Sequence, residues 1–549
     1  MAKSKPPSRS SVVLPAGNRP QAQALAHAIA GAVSAYQRGA WQETERLCRA
    51  VLAAKPDHFD ALHLLGIVAA QSGQPQEAAD LLARAASANP RSAEVHNNLG
   101  NALRDLGRHA DALSCFERAV ARNPAFAEVH YNRGNTLYQL KRPAEALQCY
   151  ERALALAPGY ADAFNNRGNA LRDLKRYDEA LESYARAIAL QPDSADAWSN
   201  RGHVLRGQKR YDEAIASYGQ AVALAPDYAA AHFDLALCRL LLGDFATGWA
   251  GYEWRWKKPE HRALRRNFAP PLWNGAEPLA GRTILLYAEQ GLGDTLQFCR
   301  YASLVAARGA TVVLEVPPPL LPLLSGLEGV AQVLAAGSPL PAFDCHCPLM
   351  SLPLAFGTDL SSIPSRVPYL ASDPARVARW RSALGPRDAP RIGLVWAGSL
   401  LLEADNRSHR SLALAEMLPL AGDGVQWVSL QKEVSATDAA LLASRPDIRS
   451  AGGLLTDFAE TAALVELMDV VVTVDTSVAH LAGAMGKPVW ILLEWSADWR
   501  WLRDRDDSPW YPTARLFRQA APGDWAGVIR RVRDALDAPG VLRGASAPA

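Results

Sequence analysis

The sequence lacks several features that would place it in a common class of protein. It contains neither a G-x-x-x-x-G-K-[ST] phosphate loop nor a G-x-S-x-G nucleophile turn, so a P-loop nucleotidase and an α/β-hydrolase are not predicted. No apolar stretch approaches the roughly 20 residues that a membrane-spanning helix needs. Lys and Arg number 58 against 56 Asp and Glu, so no charge excess is present that would attract nucleic acid.

Cysteine is sparse and scattered. The seven cysteines are odd in number and do not suggest a disulfide framework, which favours a reducing compartment. Cys345-His346-Cys347 lacks the paired C-x-x-C spacing of a zinc site, so no metal is predicted. The first residues carry lysines but no apolar core of a signal peptide. We therefore expect residues 1–24 to be a disordered lead-in and the protein to be cytoplasmic.

The first half of the chain is an internal repeat. Several residue types recur 34 residues apart in phase, and the clearest series are the prolines, the glycines and the large residues. They are Pro56, Pro90, Pro124, Pro158, Pro192 and Pro226; Gly66, Gly100, Gly134, Gly168 and Gly202; and Leu82, Phe116, Tyr150, Tyr184 and Tyr218. The pattern predicts paired amphipathic helices, with a proline after the second helix of each pair.

This repeat resembles the tetratricopeptide family over residues 25–256. One pair of helices cannot bury its own apolar face, so the pairs are expected to stack into a superhelical solenoid with a concave face. Asparagines recur on the predicted concave face and would suit an extended peptide backbone, because an amide both donates and accepts. The alternative is that asparagine is simply common there in the family. The resemblance to repeat-bearing protein O-glycosyltransferases supports an acceptor-binding ladder at Asn98, Asn132, Asn166 and Asn200.

A tryptophan-rich segment, residues 257–280 with the tryptophans that precede it, follows the repeats. Trp249, Trp254, Trp256 and Trp273 crowd this stretch, and tryptophans at such density usually belong to a packed joint. A nucleic-acid patch of interleaved Arg and Trp is the weaker alternative, because the rest of the chain is not basic. The segment is predicted to join the solenoid to the next domain.

The second half of the sequence has the pattern of parallel α/β domains. Apolar strands such as ILLY and VVVTV alternate with glycine-rich turns and helices, which is typical of βαβ units. Two Rossmann-like domains are predicted, over residues 281–385 and 390–537. The second ends in an amphipathic helix, and residues 538–549 are expected to be a frayed tail.

The turn EQGLGDT follows the first predicted strand. Gly291 and Gly293 are expected to let the backbone turn tightly and approach a ligand. The dinucleotide fingerprint would need a third glycine where Leu296 stands, so nicotinamide binding is only weakly indicated. Asp294 lies at the carboxyl end of a strand, where open α/β sheets bind ligands. The alternative is that Asp294 caps the following helix.

A second turn, in VDTSVAHLAGAMG, enters a helix that Gly486 ends. Free amides at a helix start form an anion site, and Thr476 and Ser477 can add hydroxyl donors, next to Asp475. His480 shares their helix face and is a candidate for the same site. The alternative is a capped helix with a structural histidine.

Together these two turns resemble the heptosyltransferase type of glycosyltransferase, which has a GT-B fold. The resemblance extends over about residues 281–535. It implies that Asp294 is the general base and that Asp475, Thr476 and Ser477 bind the diphosphate of a sugar nucleotide. Ser477 stands where the family has a glycine, which bears on how closely the backbone can approach a phosphate.

The same resemblance implies two further contacts, and a separate run of residues stands out by its composition. A basic residue after the corresponding strand would meet phosphate, and either Arg407 or Arg410 could fill that role. Gln431 stands where the family contacts the nucleoside. The run Asp498–Trp501 is predicted either to wall the nucleotide pocket or to pack domain against domain.

The sequence thus predicts an α-solenoid followed by a GT-B glycosyltransferase. The enzyme would move a sugar from a nucleotide-diphosphate sugar to an acceptor hydroxyl, without a metal or any cofactor besides the donor. Its partner would be a protein or peptide acceptor on the concave face, and no nucleic acid. The alternative is a non-catalytic scaffold with a degenerate or ligand-sensing domain, which the serine at 477 favours.

Overall fold

The computed structural model describes residues 19–262, 264–399 and 410–539. The chain divides into two compact units. The first, here called the repeat unit, extends to Val204 and includes Ala223–Ala225. The second, the α/β unit, comprises Leu205–Val222 and the residues from Pro226 onward. In the described part of the chain, no helix has the length and apolar character needed to cross a membrane.

Helices in pairs make up the chain from residue 19 to residue 252. They are α1 (Arg19–Gln37), α2 (Trp41–Ala54), α3 (Phe59–Gln71), α4 (Pro75–Ala88), α5 (Ala93–Asp105), α6 (His109–Arg122), α7 (Ala127–Gln139), α8 (Pro143–Leu156), α9 (Ala161–Asp173), α10 (Tyr177–Leu190), α11 (Ala195–Gly207), α12 (Tyr211–Leu224), α13 (Ala229–Leu241) and α14 (Phe245–Tyr252). The predicted helical repeat is confirmed. Its first helix begins at Arg19, inside the segment 1–24 that was expected to be disordered, because the alanine-rich run after Pro20 continues the helix backward.

The phased glycines explain how each pair packs. A Cβ atom placed on Gly134 of α7 would lie 2.6 Å from the ring of Tyr150 on α8, and one on Gly168 of α9 would lie 2.5 Å from Tyr184 on α10. Both tyrosine rings are buried. Only a residue without a side chain leaves room for the aromatic ring, so glycine and aromatic recur together with the same period.

This packing predicts a large stability effect in the repeat unit. Gly134→Val is expected to lower the free energy of unfolding of that unit by about 1–3 kcal/mol, because the new side chain overlaps a rigid buried ring. Gly159→Val is the matched control, since a Cβ there meets no atom within 4 Å. Thermal unfolding followed by circular dichroism measures both. Equal melting temperatures for the two variants would contradict the role assigned to Gly134.

The α/β unit contains two parallel sheets. Their strands are β1 (Thr283–Tyr287), β2 (Thr311–Val316), β3 (Gln332–Ala335), β4 (Cys345–Pro348), β5 (Arg391–Val395), β6 (Gln426–Ser429), β7 (Ile448–Ser450), β8 (Val470–Val474), β9 (Val489–Leu493) and β10 (Ala514–Arg518). The first sheet has the order β3-β2-β1-β4 and the second has the order β10-β9-β8-β5-β6-β7. All the pairings between these strands are parallel. The predicted α/β fold class is therefore confirmed.

Helices precede, connect and follow these strands. They are α15 (Pro259–Arg262), α16 (Leu292–Phe298), α17 (Tyr301–Ala307), α18 (Leu321–Leu324), α19 (Leu352–Ala355), α20 (Pro374–Leu384), α21 (Leu414–Met417), α22 (Ala436–Ala443), α23 (Phe458–Glu466), α24 (Ser477–Ala484) and α25 (Trp525–Asp537). The central strands β1 and β8 are buried, as Val/Ile/Leu-rich strands covered on both faces should be. Helix α25 is the predicted closing helix.

Helix α20, which the sequence places at the end of the first domain, contacts an element of the second. The sequence places residues up to 385 in the first domain, yet α20 packs on α23 beside the second sheet. Arg376 and the indole N–H of Trp380 donate hydrogen bonds to Glu460 of α23, at 2.7 and 2.8 Å. These partners are 80 and 84 residues apart in sequence, so no local pattern could have shown this contact.

The tryptophan-rich joint is packed, as the sequence predicts. Trp249 and Trp273 are each only 2% exposed. The indole N–H of Trp249 donates to the Thr358 carbonyl at 3.0 Å, and its ring meets Trp499 edge to face at 5.1 Å. Helices α13 and α14 therefore belong to the same compact unit as the sheets.

Candidate functional site

The candidate site lies where one helix from each sheet begins. Helix α16 follows β1 of the first sheet, and α24 follows β8 of the second sheet. The carboxyl ends of parallel strands are where open α/β sheets hold their ligands. The two helix starts contact each other, because Gly293 of α16 lies against Ser477 and His480 of α24. The two sequence turns that resemble heptosyltransferases are therefore brought together.

Asp294 has a partner at each carboxylate oxygen. Oδ2 accepts a hydrogen bond from the Gly291 backbone N–H at 2.8 Å, and Oδ1 forms an ion pair with the Arg500 guanidinium. The bond from Gly291 connects Asp294, the third residue of α16, to the residue just before the helix. Asp294 therefore has the capping role that the sequence offers as an alternative, alongside its ion pair. The side chain keeps 22% of its surface exposed, which leaves it open to a bound molecule.

Gly293 packs against the second helix of the site. A Cβ atom on Gly293 would lie 2.8 Å from Cδ2 of His480 and 3.5 Å from Cα of Ser477. The missing side chain therefore allows α16 to approach α24. These neighbours come from a turn nearly two hundred residues later in the chain, and close approach of a ligand to Gly293 stays a prediction.

Thr476 and Ser477 form the turn into α24. Thr476 has extended dihedral angles of φ −136° and ψ 171°, and its side chain does not accept a hydrogen bond from the helix. Its hydroxyl lies 3.0 Å from that of Thr473. Ser477 already belongs to the helix, so a serine fits the backbone without strain where the family has a glycine. The first-turn amides of α24 are thus not capped by Thr476.

His480 is buried between the two helices. It is 5% exposed, its Nδ1 lies 2.9 Å from the Tyr511 hydroxyl, and its ring stacks on Trp501 at 5.4 Å. Burial, followed by the charges of nearby arginines, holds the pKa of His480 well below its ordinary value. A neutral, packed imidazole fits the structural alternative, so the predicted ligand contact of His480 is not supported by its position.

Carboxyl groups and guanidinium groups surround the Thr476 turn. Burial, and then the charge of Asp498, raises the pKa of Asp475 to about 6, while Arg410 and Arg500 oppose that change. Burial and the charge of Asp475 raise the pKa of Glu494 to about 7, and Arg410 again opposes the change. Both acids are half-buried at the ends of neighbouring strands. The site therefore holds acids that titrate near neutral pH.

Two of the other predicted contacts have different outcomes. Gln431 is 4% exposed, and its side-chain amide is used entirely by the backbone. Oε1 accepts from Trp396 and Ala397, and Nε2 donates to the Ala397 and Glu433 carbonyls, all at 3.0–3.1 Å. An amide has two donors and two acceptor positions, so all of them are used within the protein, and a nucleoside contact through this side chain is not supported by its position. Arg407 lies outside the described residues. The charge of Arg410 lowers the pKa values of Asp475 and Glu494, which places Arg410 near the Thr476 turn.

The asparagine ladder lies in the repeat unit and connects successive pairs of helices. Asn132 donates to Asn97 at 2.9 Å, Asn166 donates to Asn135 at 2.9 Å, and Asn200 donates to Asn165 at 3.0 Å. Asn98 lies 2.9 Å from His63. The ladder amides are thus engaged in bonds between neighbouring repeats. These bonds between repeats give the asparagines a structural role, and acceptor binding by the ladder stays a prediction.

A polar groove of about 670 Å³ nevertheless opens beside the ladder in the repeat unit. Asn132 and Asn166 line it, with more asparagines three residues further along each helix. The remaining lining combines tyrosines with acids and one arginine: Arg104, Asp105, Glu128, Tyr131, Tyr138, Gln139, Tyr150, Tyr160 and Asp162, beside Asn101, Asn135 and Asn169. The groove offers many polar groups to an extended ligand.

Two arginines are buried at the site: Arg500, which belongs to the run Asp498–Trp501 singled out from the sequence, and Arg255, whose role the sequence does not indicate. Arg500 sits between the two helices of the site and is 7% exposed. Arg255, which is fully buried, pairs with Glu253 at 2.6 Å and Glu289 at 3.1 Å, and donates to the Ser351 hydroxyl at 2.7 Å. Both stand in runs where arginine alternates with tryptophan, and that alternation is the one signal that could have marked them as buried.

Among the residues the structure describes, no cluster of His, Cys, Asp and Glu could hold a metal ion.

Comparisons with known families match both halves of the chain. Tetratricopeptide-repeat models match several overlapping segments between residues 35 and 228. The model of glycosyltransferase family 9 (heptosyltransferase) matches residues 450–493. That segment runs from the end of β7 to the end of β9 and includes Asp475, Thr476 and Ser477. Asp294 lies outside it.

Individual relatives cover parts of the chain. Protein FlbA of Caulobacter vibrioides is 29% identical over 335 residues, which are 56% of this chain and 55% of FlbA. The chain thus spans about half the length of this curated relative. The structure of pilF from Pseudomonas aeruginosa is 22% identical, with a TM-score of 0.35, over 38% of this chain and 94% of its own. MamA from Desulfovibrio magneticus is 21% identical, with a TM-score of 0.29, over 31% of this chain and 96% of its own.

Proposed function

We propose that this chain, which joins tetratricopeptide repeats to a heptosyltransferase-type domain, is a cytoplasmic glycosyltransferase that modifies a protein or peptide. It would move a sugar from a nucleotide-diphosphate sugar to an acceptor hydroxyl. The observation that carries this proposal is the contact between the starts of α16 and α24, with the carboxylate of Asp294 beside the uncapped turn at Thr476.

The donor would bind at the second sheet. Its diphosphate would take hydrogen bonds from the first-turn amides of α24 and from the hydroxyls of Thr476 and Ser477, at the positive end of the helix dipole. Arg410, whose charge lowers the pKa of Asp475, would add a positive charge beside the phosphates. These groups would stabilise the charge that grows on the diphosphate as its bond to the sugar breaks.

The acceptor would be activated from the first sheet. The acceptor oxygen attacks the anomeric carbon of the sugar, the bond between that carbon and the phosphate oxygen breaks, and the nucleoside diphosphate leaves. Asp294 would take the proton of the acceptor hydroxyl, because it is a partly exposed carboxylate at the meeting point of the two helices. No step in this scheme draws on a metal.

The repeat unit would recruit the acceptor. Its groove of about 670 Å³ is lined by amides, tyrosines and acids, which suit the backbone and polar side chains of an extended peptide. The lining includes Glu128 and Asp162, so a segment with basic or neutral residues fits better than an acidic one.

A panel of nucleotides tests the proposal. Thermal shift with UDP, GDP and ADP should identify one nucleotide that stabilises the α/β unit, and the matching nucleotide sugar should then be hydrolysed or transferred. Thr476→Val combined with Ser477→Ala removes both hydroxyls and should weaken the binding, whereas Ser444→Ala, on a helix end remote from the turn, should not. A panel with no stabilisation and no hydrolysis would contradict the proposal.

A non-catalytic scaffold is the second candidate function. Both oxygens of Asp294 already have partners, Arg500 and the Gly291 amide. Such a carboxylate can serve only to stabilise the contact between the two helices, which favours the scaffold. In that case one nucleotide would bind and no donor sugar would turn over. Nucleotide binding separates both candidates from a protein that has lost the site, and sugar release separates them from each other.

The acids around the Thr476 turn predict a pH dependence of nucleotide binding. The raised pKa values of Asp475, about 6, and Glu494, about 7, mean that both protonate within reach of neutral pH. A bound diphosphate raises both pKa values further, so binding takes up protons. The affinity should therefore rise as the pH falls from 8 to 6, by at most about tenfold per pH unit for each acid. Isothermal titration calorimetry measures this change.

The variant Glu494→Gln controls for titration of the nucleotide itself. It removes one of the two acids while the ligand stays the same. The variant should bind more tightly than the parent at pH 8 and should show a smaller change between pH 8 and pH 6. Identical pH profiles for the two proteins would contradict a role of Glu494 beside the diphosphate.

A further inference from the structure

Arg500 connects the two sheets through a single buried guanidinium. Its Nη2 forms the ion pair with Asp294, and its Nε donates to Oε1 of Gln297 at 2.9 Å. Both partners lie on α16, which follows the first sheet. Its Nη1 donates to Asp498 at 2.8 Å, within the loop that follows β9 of the second sheet. Arg500, from the loop after β9 of the second sheet, thus binds α16, the helix after the first sheet that carries the candidate base Asp294.

The surroundings of Arg500 hold it in this position. The guanidinium carbon lies 4.4 Å from the ring centre of Trp499 and 5.9 Å from that of Phe298, and the residue is 7% exposed. A buried charge that loses one of its partners is strongly destabilised, so the pair with Asp294 resists separation. The planar fork of an arginine fixes direction as well as distance, which a flexible lysine does not.

We propose that Arg500 is a positioning residue for the transfer reaction, holding the Asp294 carboxylate toward the Thr476 turn. This inference rests on the proposed function. Arg500 would act through Asp294 and would not itself be a ligand of the donor. A residue in the loop after β9 of the second sheet would thereby set the position of a base carried by the first sheet.

Two other roles for Arg500 lead to different results. As a ligand of the donor phosphates, it would contribute chiefly to nucleotide affinity. If Arg500 only stabilised the contact between the two sheets, its loss would lower the melting temperature without a specific effect on the transfer rate. Arg300 supplies the comparison, because it is 4% exposed and also connects α16 and α17 to later parts of the unit. It donates to the Trp510 carbonyl at 2.8 Å and to the Tyr369 hydroxyl at 2.8 Å, without contacting Asp294.

The test uses the full chain with Arg500→Gln, Arg500→Lys and Arg300→Gln. Each variant is measured for melting temperature, for affinity toward the nucleoside diphosphate identified by the nucleotide panel, and for kcat with the matching donor. Arg500→Gln should lower kcat by about 100-fold, the typical effect of a misplaced reacting group, while nucleotide affinity stays close to that of the parent. Arg500→Lys should recover part of the loss, and Arg300→Gln should lower the melting temperature without a comparable loss of kcat.

A second readout does not depend on turnover. Hydrogen exchange at the start of α16 should increase in Arg500→Gln, because Asp294 is freed to leave the Gly291 amide, and should increase less in Arg500→Lys and in Arg300→Gln. Unchanged kcat and exchange in Arg500→Gln would overturn the proposal. An equal loss of kcat in Arg300→Gln, or a weakening of nucleotide binding that matches the loss of kcat, would overturn it as well.

The outcomes also separate this proposal from the proposed function. If the parent protein turns over a donor and Arg500→Gln does so equally well, only the role of Arg500 is wrong. If the parent protein turns over no donor, the proposed function fails, and the role of Arg500 in transfer fails with it.

Discussion

Asp294→Asn is expected to abolish sugar transfer while leaving nucleotide affinity nearly intact. The substitution removes the group that would accept the acceptor proton, and loss of a general base typically costs about 10²- to 10⁴-fold in rate. The asparagine oxygen can still accept the hydrogen bond from the Gly291 amide, so α16 keeps its start. Initial rates of nucleoside diphosphate release, together with calorimetric nucleotide titrations, measure the two effects.

The matched control for this variant is Asp498→Asn. Asp498 is also an ion-pair partner of Arg500, at 2.8 Å, so this change imposes a similar loss of charge on the same guanidinium. Its effect on the rate should be much smaller than that of Asp294→Asn. Full turnover by Asp294→Asn would remove Asp294 from the chemistry, and equal losses in both variants would assign the effect to Arg500.

Arg255→Met is expected to have the largest effect on stability. Arg255 is fully buried and pairs with Glu253 and with Glu289, which is 2% exposed. Removing one partner of a buried ion pair costs about 3–5 kcal/mol, because the remaining charge is left without compensation. Thermal unfolding of the α/β unit measures the loss. Arg445→Met, which breaks the surface pair with Asp447, is the control and should have little effect.

The effect of Arg255→Met should also depend on pH. Burial raises the pKa of Glu289 to about 7, and Arg255 opposes that rise. A carboxyl whose pKa is higher in the folded state contributes most to stability below its ordinary value of 4.5, and this contribution is lost as the pH rises through about 7. Without Arg255 the pKa rises further, so the variant should lose more stability at pH 8 than at pH 5.5.

A double variant tests that explanation. Adding Glu289→Gln to Arg255→Met removes the buried charge and should recover part of the stability at pH 8. A loss that is the same at both pH values, or a double variant that is no better than Arg255→Met at pH 8, would contradict the pairing described for these residues.

The repeat could be predicted from the sequence because its signal is periodic. Glycine and aromatic recur in phase, and the structure shows the reason, since the ring of Tyr150 occupies the space that a side chain on Gly134 would need. The alternating strands and helices of the second half follow from local apolar patterns in the same way. The packing of helix α20 could not be predicted, because its partner, Glu460, lies far along the chain.

The candidate site could be located but not assembled from the sequence. The two turns that resemble heptosyltransferases come together as expected, since each follows a strand at the carboxyl edge of its sheet. The roles of Gly293, His480 and Gln431 depend on neighbours that only the fold supplies. Arg500 could not be ranked against the other arginines of its segment without knowing that α16 lies beside it.

The most direct test of the account is a crystal structure of the protein with the nucleoside diphosphate that the panel identifies. In this complex the phosphates should accept hydrogen bonds from the amides of Ser477 and Val478, with the Asp294 carboxylate on the side where the sugar would extend. A diphosphate bound elsewhere, or bound far from Asp294, would contradict the proposed function.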